Sequence, residues 1–259
     1  MTRTFRTCLA FAMMLCGLFA LQTARAASQA DLKGTSVVLV HGAFADGSSW
    51  NRVIPILEAH GLHVVAVQNP LSSLADDVAA TKRVIDQQSG HVVLVGHSWG
   101  GVVISQAGND DKVKSLVYVA AFAPDGGQSI ADMTQGMKPP AWANELQKDA
   151  AGFLTLSDKA VKEDFALDLP TAQQRIVAAT QGPWFSGCID DKVTQAAWHR
   201  KPSYFVVAGR DRMIDPHLQD QMAKNINAQV THVDASHVAM LSQPEAVANA
   251  ILAAARRAR

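Results

Sequence analysis

Short runs of aliphatic and β-branched residues recur along this chain, and segments with helical periodicity separate them. Within the runs, apolar and polar positions do not alternate. Continuous apolar runs of this length are typical of strands that are buried on both faces, as in a parallel sheet. Six strands are predicted, at Thr35–Val40, His63–Val67, His91–Val95, Val113–Val119, Ser203–Val207 and Gln229–Val233.

Two segments between these runs carry clear helix signals. Ser73 followed by Asp76 forms a capping pattern at the start of the first, and Pro244 stands at the start of the second. Their apolar stripes are Leu74, Val78, Thr81 and Ile85 in the first, and Val247, Ala250, Ile251 and Ala254 in the second. Strands that alternate with helices predict an α/β fold, with a mostly parallel sheet of about six strands and helices on both faces.

One interval, from about residue 125 to 201, breaks this alternation. It holds three of the five tryptophans of the chain, Trp142, Trp184 and Trp198. We expect a largely helical cap insertion that folds over one edge of the sheet and belongs to a single domain spanning residues 27–259. Ligands of open α/β sheets bind beyond the carboxyl ends of the strands. The aromatic residues of the insertion therefore either roof such a site or form the insertion's own core.

The first residues have the pattern of a secretory signal peptide. Arg3 and Arg6 precede an apolar run from Leu9 to Leu21, and Ala24-Arg25-Ala26 follows as a small-x-small cleavage site. The run is shorter than the roughly 20 apolar residues of a spanning helix, although an uncleaved anchor is the alternative interpretation. We expect cleavage of residues 1–26, export to the periplasm or the medium, and no stable membrane association afterwards.

Composition narrows the possible functions further. Hydrophobic residues make up 48% of the chain and charged residues 18%, which is typical of a globular protein and excludes a long disordered tail. Lys and Arg together number 23, as do Asp and Glu, so no excess positive charge favours binding of nucleic acid. Of the three cysteines only Cys188 lies beyond the predicted signal peptide, which excludes a disulfide within the mature chain.

The clearest chemical signal is a Gly-x-Ser-x-Gly motif, Gly96-His97-Ser98-Trp99-Gly100, which follows a buried strand and precedes a helical pattern. That context is the one a nucleophile elbow requires. The glycines are needed on steric grounds, because side chains there would collide with the neighbouring helix and strand. Ser98 is therefore the predicted nucleophile.

A serine hydroxyl is a weak nucleophile at neutral pH and needs a base within hydrogen-bond reach. His237 follows the last predicted strand and so lies at the same edge of the sheet as Ser98, which makes it the predicted base. Asp211, directly after the strand that ends at Val207–Ala208, is the predicted acid, in the chain order Ser…Asp…His. Asp215 and Asp125 are the alternatives, and Asp215 is also well placed to cap a helix that begins at Pro216.

An oxyanion formed on the acyl carbon needs preorganised donors. The backbone N–H of Trp99, directly after the nucleophile, and that of Ala43, in the loop after the first strand, are the predicted pair. Gly42 lets the backbone approach the site closely, although His41-Gly42 is also readable as a simple strand-ending turn. We assign Gly42, Phe44 and Trp184 to substrate binding.

Five segments together resemble the α/β-hydrolase superfamily, and within it the small esterases that include plant methyl esterases and hydroxynitrile lyases. The matching segments are residues 38–43, 94–101, 119–125, 211–214 and 236–241. The resemblance implies a cap insertion, no cofactor, and Ser98, Asp211 and His237 as the catalytic triad.

Two departures from the resemblance bear on the reaction. Hydroxynitrile lyases of this branch carry a threonine where Gly42 stands, and a lysine where Val238 follows the histidine. Without that cation nothing holds a cyanide leaving group. Related epoxide hydrolases and haloalkane dehalogenases use an aspartate nucleophile, which Ser98 excludes.

Hydrolysis of small-molecule carboxylic esters by an exported serine esterase is therefore the leading hypothesis. A cofactor-free perhydrolase or lactonase with the same triad is the alternative among enzymes. A ligand-binding protein on a hydrolase fold, with marginal turnover, is the alternative outside them. No metal site is predicted, since the chain has neither a His-Glu-x-x-His motif nor paired cysteines at zinc-ligand spacing.

Overall fold

The computed structural model describes residues 32–258, and nine strands lie in that part of the chain. They are β1 (Thr35–Val40), β2 (His63–Ala66), β3 (His91–His97), β4 (Val113–Val119), β5 (Leu146–Lys148), β6 (Phe153–Leu156), β7 (Trp184–Phe185), β8 (Ser203–Ala208) and β9 (Gln229–Val233). The six predicted strands are confirmed as β1–β4, β8 and β9, with end points that differ by no more than two residues.

These six strands form one parallel sheet in the order β2-β1-β3-β4-β8-β9. Every residue of β1 and β8 is buried, and so is nearly every residue of β3 and β4. Because successive side chains of a strand point to opposite faces, helices must cover both faces of the sheet centre. The predicted fold class is therefore confirmed.

Nine α-helices surround the sheet within residues 32–258. They are α1 (Ile54–Glu58), α2 (Leu74–Asp86), α3 (Trp99–Ala107), α4 (Ile130–Met133), α5 (Asp158–Ala160), α6 (Thr171–Thr180), α7 (Pro216–Asn225), α8 (Ala239–Ser242) and α9 (Pro244–Arg257). Both helix signals are confirmed: the Ser73 hydroxyl accepts the Asp76 N–H at 3.0 Å at the start of α2, and α9 begins at Pro244. Both helices bury an apolar stripe against the rest of the domain.

The insertion between β4 and β8 is only partly helical. It contains α4–α6, but β5, β6 and β7 also form a small antiparallel sheet in it. These strands have two to four residues each and are only half-buried for the most part. Strands that short carry no readable alternation, which is why the sequence pattern did not predict them.

The strand order places a topological switch point beside β1. The chain passes from β1 to β2 on one side and then returns to β3 on the other side of β1, so the winding direction reverses there. Open α/β sheets bind ligands at such a reversal, beyond the carboxyl ends of the strands. The register pairs Val40 of β1 with Gly96 of β3, and His97 with Val119 of β4, so these three strands end at the same level.

The predicted signal peptide, residues 1–26, lies outside the described residues. No helix between residues 32 and 258 combines the length and the apolar character needed to cross a membrane. Over the same residues, no three His, Cys, Asp or Glu side chains come together as a potential metal site. Cys188 is a buried free thiol.

Candidate active site

Ser98 lies on the sharp turn between β3 and α3. Its backbone has φ 53° and ψ −122°, a left-handed conformation that is strained for a residue with a side chain. A Cβ on Gly100 would lie 2.5 Å from the Val40 carbonyl oxygen, and one on Gly96 would collide with the Gly100 carbonyl. The turn therefore forms only with glycine at these two positions, as the motif predicts.

Backbone hydrogen bonds hold this strained turn in place. The Ser98 N–H donates to the Val119 carbonyl at 3.3 Å, and the Ser98 carbonyl accepts from Gly101 at 2.9 Å and from Phe122 at 3.2 Å. Ser98 is 8% exposed, and its hydroxyl has no hydrogen-bond partner in the described part of the chain. The hydroxyl is thus fixed by the backbone and left available for chemistry.

His237 and Asp211 form a buried pair beside this turn. The His237 Nδ1 lies 2.7 Å from the Asp211 Oδ2, and the two side chains are 1% and 0% exposed. A carboxylate only accepts hydrogen bonds, so Nδ1 carries a proton, and in the neutral imidazole the lone pair then lies on Nε2. That tautomer is the one a general base needs.

Three more donors hold the Asp211 carboxylate. Its Oδ1 accepts the N–H groups of Met213 at 2.7 Å and Ile214 at 3.0 Å, and its Oδ2 accepts the Gln219 side-chain amide at 2.8 Å. Gln219 is fully buried on α7. These bonds hold the carboxylate in the orientation that meets His237.

The two alternative acids lie elsewhere. The Asp215 carboxylate accepts the His217 N–H at 2.8 Å and caps α7, as its position before Pro216 predicts. Asp125 pairs with the exposed His199 at 2.7 Å. Of the three candidates, Asp211 is the one that contacts His237.

A second histidine, His97, packs against His237 and binds its backbone carbonyl. The His97 ring lies 4.6 Å from the His237 ring between centroids, and its Nε2 is 3.0 Å from the His237 carbonyl oxygen. Complete burial, helped by the neighbouring His237, holds the pKa of His97 well below its usual range. His97 is therefore neutral, and its Nε2–H donates to that carbonyl.

The loop after β1 reaches the same turn. A Cβ on Gly42 would lie 2.6 Å from the Ser98 Cβ, so only glycine allows the loop to approach this closely. The backbone N–H groups of Ala43 and Trp99 donate no hydrogen bond within residues 32–258. Two unpaired N–H groups, one on the loop after β1 and one at the first residue of α3, are the arrangement that an oxyanion site requires.

His41 braces the loop that carries Gly42 and Ala43. Its Nε2 accepts the Asn69 N–H at 2.9 Å, so its Nδ1 carries the proton and donates to the Gly42 carbonyl, also at 2.9 Å. The Asn69 side chain donates back to the His41 carbonyl at 3.0 Å. Burial lowers the pKa of His41, which keeps this ring neutral.

The indole of Trp99 is anchored by a buried carboxylate that the sequence pattern did not single out. The Trp99 Nε1–H donates to the Asp77 Oδ2 at 2.7 Å, and the Leu71 N–H donates to the Asp77 Oδ1 at 2.7 Å. On its other side, the Trp99 ring packs on Trp184 at 5.6 Å, and Trp184 meets Phe44 edge-on at 6.0 Å. The three aromatic rings form a wall beside the nucleophile turn.

Burial raises the pKa of Asp77 from 3.8 to about 6, against the opposite effect of the Trp99 and Leu71 hydrogen bonds. Folded Asp77 thus binds a proton more tightly than unfolded Asp77. Its contribution to the free energy of unfolding is complete below about pH 4 and is lost as the pH rises through 6. A shift of two units corresponds to about 3 kcal/mol.

Asp77→Asn is expected to remove this pH dependence. Urea unfolding at several values between pH 4 and 7 should show that the stability advantage of the native protein over the variant falls by about 3 kcal/mol across that range. Asp76→Asn is the matched control. The Ser72 and Ser73 hydroxyls lower the pKa of the exposed Asp76, so its contribution is lost with falling pH instead. A stability difference for Asp77→Asn that does not vary with pH would contradict the assignment.

A cavity of about 260 Å³ is lined by residues that adjoin the site, although not by Ser98 or His237 themselves. Its walls include Phe44 from the loop after Ala43, Phe165 and Val177 from the insertion, and Val238, directly after His237. The Phe165 ring lies 5.2 Å from the His237 ring between centroids. Of the residues assigned to substrate binding, Phe44 lines this cavity. Trp184 does not line it but packs against the Phe44 ring, and Gly42 lies against Ser98.

The structure thus brings the sequence-predicted residues together at one edge of the sheet, and it adds residues that the sequence pattern missed. Asp77 and Gln219 each have one weak signal, a polar residue on an otherwise buried helix face. Phe165 has none, because an aromatic residue in an insertion is compatible with packing anywhere.

Comparison with known proteins agrees with the fold. A pyrethroid hydrolase from Sphingobium wenxiniae is 27% identical over 245 residues, which are 84% of this chain and 86% of that protein. An alpha-hydroxynitrile lyase from Arabidopsis thaliana is 24% identical over 247 residues, 84% of this chain and 96% of that protein. The crystal structure of polyneuridine aldehyde esterase shares the fold, with a TM-score of 0.75 at 20% identity over 85% of this chain and 98% of that chain. The profile of the alpha/beta hydrolase family matches residues 37–250, and the chain belongs to that family.

Proposed function

We propose that this protein is a serine hydrolase that cleaves carboxylic esters with Ser98 as nucleophile, His237 as base and Asp211 as acid. One observation carries the proposal. The buried Asp211–His237 pair, joined at 2.7 Å, orients the His237 ring with its Nδ1 on the carboxylate and its Nε2 free of that bond, next to the strained turn that carries Ser98. This is the constellation that activates a serine hydroxyl.

In the proposed reaction, the Ser98 Oγ attacks the acyl carbon while the His237 Nε2 takes the hydroxyl proton. The oxygen of the tetrahedral intermediate accepts the N–H groups of Ala43 and Trp99. The intermediate collapses as His237 returns the proton to the leaving alcohol. Water, deprotonated by His237, then attacks the acyl-enzyme, and the acid is released with Ser98 regenerated.

Two features favour ester hydrolysis over the lyase reaction. Relatives of this chain include a pyrethroid hydrolase and methylesterases, although one is a hydroxynitrile lyase. The residue after His237 is Val238, which is apolar, 1% exposed and part of the cavity wall. An apolar residue directly after the histidine suits an ester with hydrophobic groups, and at this position it offers no cation to a cyanide leaving group.

A fluorophosphonate probe tests the proposal directly. We expect one probe per chain, bound to Ser98 by peptide mapping, and a parallel loss of aryl ester turnover. Perhydrolase or lactonase activity would share this labelling and is separated by assaying lactones and peracid formation. Absence of labelling, or labelling of another serine, contradicts the proposal.

The cavity is proposed to receive one side of the ester. Val177→Trp should fill it from α6 and lower kcat/KM for an aryl octanoate about tenfold more than for the aryl acetate. Ala179→Trp is the matched control, because Ala179 is exposed on the opposite side of the same helix, where it lines a separate hollow. Equal effects of both variants, or equal losses on both substrates, would assign the cavity no role in selectivity.

Export is part of the proposal and is supported by the sequence pattern of residues 1–26, with a mature chain that begins at Ala27. The intact mass of protein isolated from its native host tests this. A mass that retains residues 1–26 would contradict cleavage.

A further inference from the structure

A carboxylate of the insertion reaches the loop that carries His237. The side chain of Asp168 is 5% exposed, and both of its oxygens are bound to one residue. Its Oδ2 accepts the Ser236 N–H at 2.8 Å, and its Oδ1 accepts the Ser236 hydroxyl. Ser236 directly precedes His237, so a buried acid of the insertion accepts a hydrogen bond from the backbone next to the proposed base.

An arginine links the same acid to the loop of the proposed catalytic aspartate. Arg210 directly precedes Asp211, and its Nη2 lies 3.7 Å from the Asp168 Oδ2. The Arg210 Nε is also 2.6 Å from the Asp234 carboxylate, in the loop after β9. Asp168 therefore lies where the loops after β8 and β9 meet, and the arginine offsets its buried charge.

The chain before Asp168 has an unusual conformation. Residues Val161–Phe165 form a π-helical turn, closed by the Ala166 N–H, which donates to the Val161 carbonyl at 2.8 Å. Turns of this kind are rare and occur often at functional sites. This one presents the Phe165 ring to His237, three residues before Asp168 binds Ser236. The segment from Phe165 to Asp168 thus contacts the histidine loop at its side chain and at its backbone.

Two hydrogen bonds fix the backbone on the two sides of the His237 side chain. One is donated by the Ser236 N–H to Asp168, and the other is accepted by the His237 carbonyl from His97. Without Asp168, the first anchor and the hydroxyl bond of Ser236 to the carboxylate are lost together. The Ser236 hydroxyl would keep the Phe165 carbonyl at 3.4 Å, and the loop would keep the bond from the Arg210 N–H to the Ala235 carbonyl at 2.9 Å. We expect these remaining contacts to position the imidazole less firmly relative to Ser98.

We propose that Asp168 is a positioning residue. Through its bonds to Ser236, the packing of the insertion against the sheet sets the alignment of His237 with Ser98. The inference rests on the proposed function. A displacement of about 1 Å between a base and its nucleophile lowers a rate by roughly 100-fold. Asp168 acts on the proton transfer and not on substrate binding, so the effect falls on kcat.

The test is Asp168→Ala, assayed on an aryl acetate with kcat corrected for the folded fraction by circular dichroism. We expect kcat to fall about 100-fold with KM changed by less than about threefold. Asp168→Asn should restore kcat to within about tenfold of the native value, because its oxygen accepts the Ser236 N–H and its amide donates to the Ser236 hydroxyl. A merely structural role would lower Tm and leave kcat per folded molecule unchanged.

Asp149→Ala is the matched control, because Asp149 also lies in the insertion and accepts two backbone N–H groups, from Ala151 and Phe153, both at 2.9 Å. It should change Tm without changing kcat.

If Asp168→Ala does not fold, Ser236→Ala provides the second test. This variant keeps the N–H bond to Asp168 and loses the hydroxyl bond, so it should lower kcat several-fold. Native kcat in the alanine variant that folds overturns the inference. A native protein without fluorophosphonate labelling overturns the proposed function instead.

Discussion

Ser98→Ala is expected to abolish fluorophosphonate labelling and to lower kcat on an aryl ester by about six orders of magnitude. The alanine variant keeps the backbone of the turn and the N–H groups of Ala43 and Trp99, but it has no atom that can form an acyl-enzyme. What remains is the catalysis that the N–H donors and substrate binding provide on their own. Initial rates at high enzyme concentration measure this residual activity.

The fold should survive this change, since the hydroxyl of Ser98 has no hydrogen-bond partner among residues 32–258. A thermal unfolding curve checks that. Ser72→Ala, at a half-buried serine whose hydroxyl donates to Asp76, is the control and should leave labelling and turnover intact. Turnover of Ser98→Ala within tenfold of the native rate would mean that the reaction uses another nucleophile.

Asp211→Asn is expected to lower kcat by about four orders of magnitude while the protein stays folded. The oxygen of asparagine can still accept from Met213 and Ile214, which turns its amide toward His237. That amide donates to the His237 Nδ1 and so moves the ring proton to Nε2. With Nε2 protonated, the ring cannot take the proton of Ser98.

Asp215→Asn provides the comparison for this variant, because it makes the same chemical change four residues further along the chain. Asp215 caps α7 and does not contact His237, and asparagine caps a helix almost as well as aspartate. Its kcat should stay within about twofold of the native value. Both variants are assayed on one aryl ester, and the reverse ranking would make Asp215 the catalytic acid.

Much of this architecture is predictable from local sequence. The runs of β1 and β4 match their strands residue for residue, because a central strand that is buried on both faces is mostly apolar. The bounds of β9 also match, although this edge strand is exposed at four of its five residues and is not buried on both faces as its run predicted. The turn at Ser98 is equally readable, since its glycines are required by contacts within a few residues and with the adjacent strand. Asp211 follows from chain order and from its place just past β8.

The remaining part depends on contacts between distant segments. Ser236 meets Asp168 across 68 positions of the chain, and Trp99 meets Asp77 across 22. No spacing in the sequence predicts either contact, because each depends on how an irregular segment folds over the sheet. The insertion illustrates this most clearly: a π-helical turn and strands of two to four residues leave no periodicity in the sequence.

The pairing of β4 with β8 has a consequence for biosynthesis. It joins Leu116 to Ser203 and Val119 to Val206, so the whole insertion has to be made before these two central strands can meet. A nascent chain therefore carries Ser98 and both N–H donors long before Asp211 and His237 exist. During translation such a chain has the proposed nucleophile without the proposed base, and we expect it not to hydrolyse esters until β8 and β9 have joined the sheet.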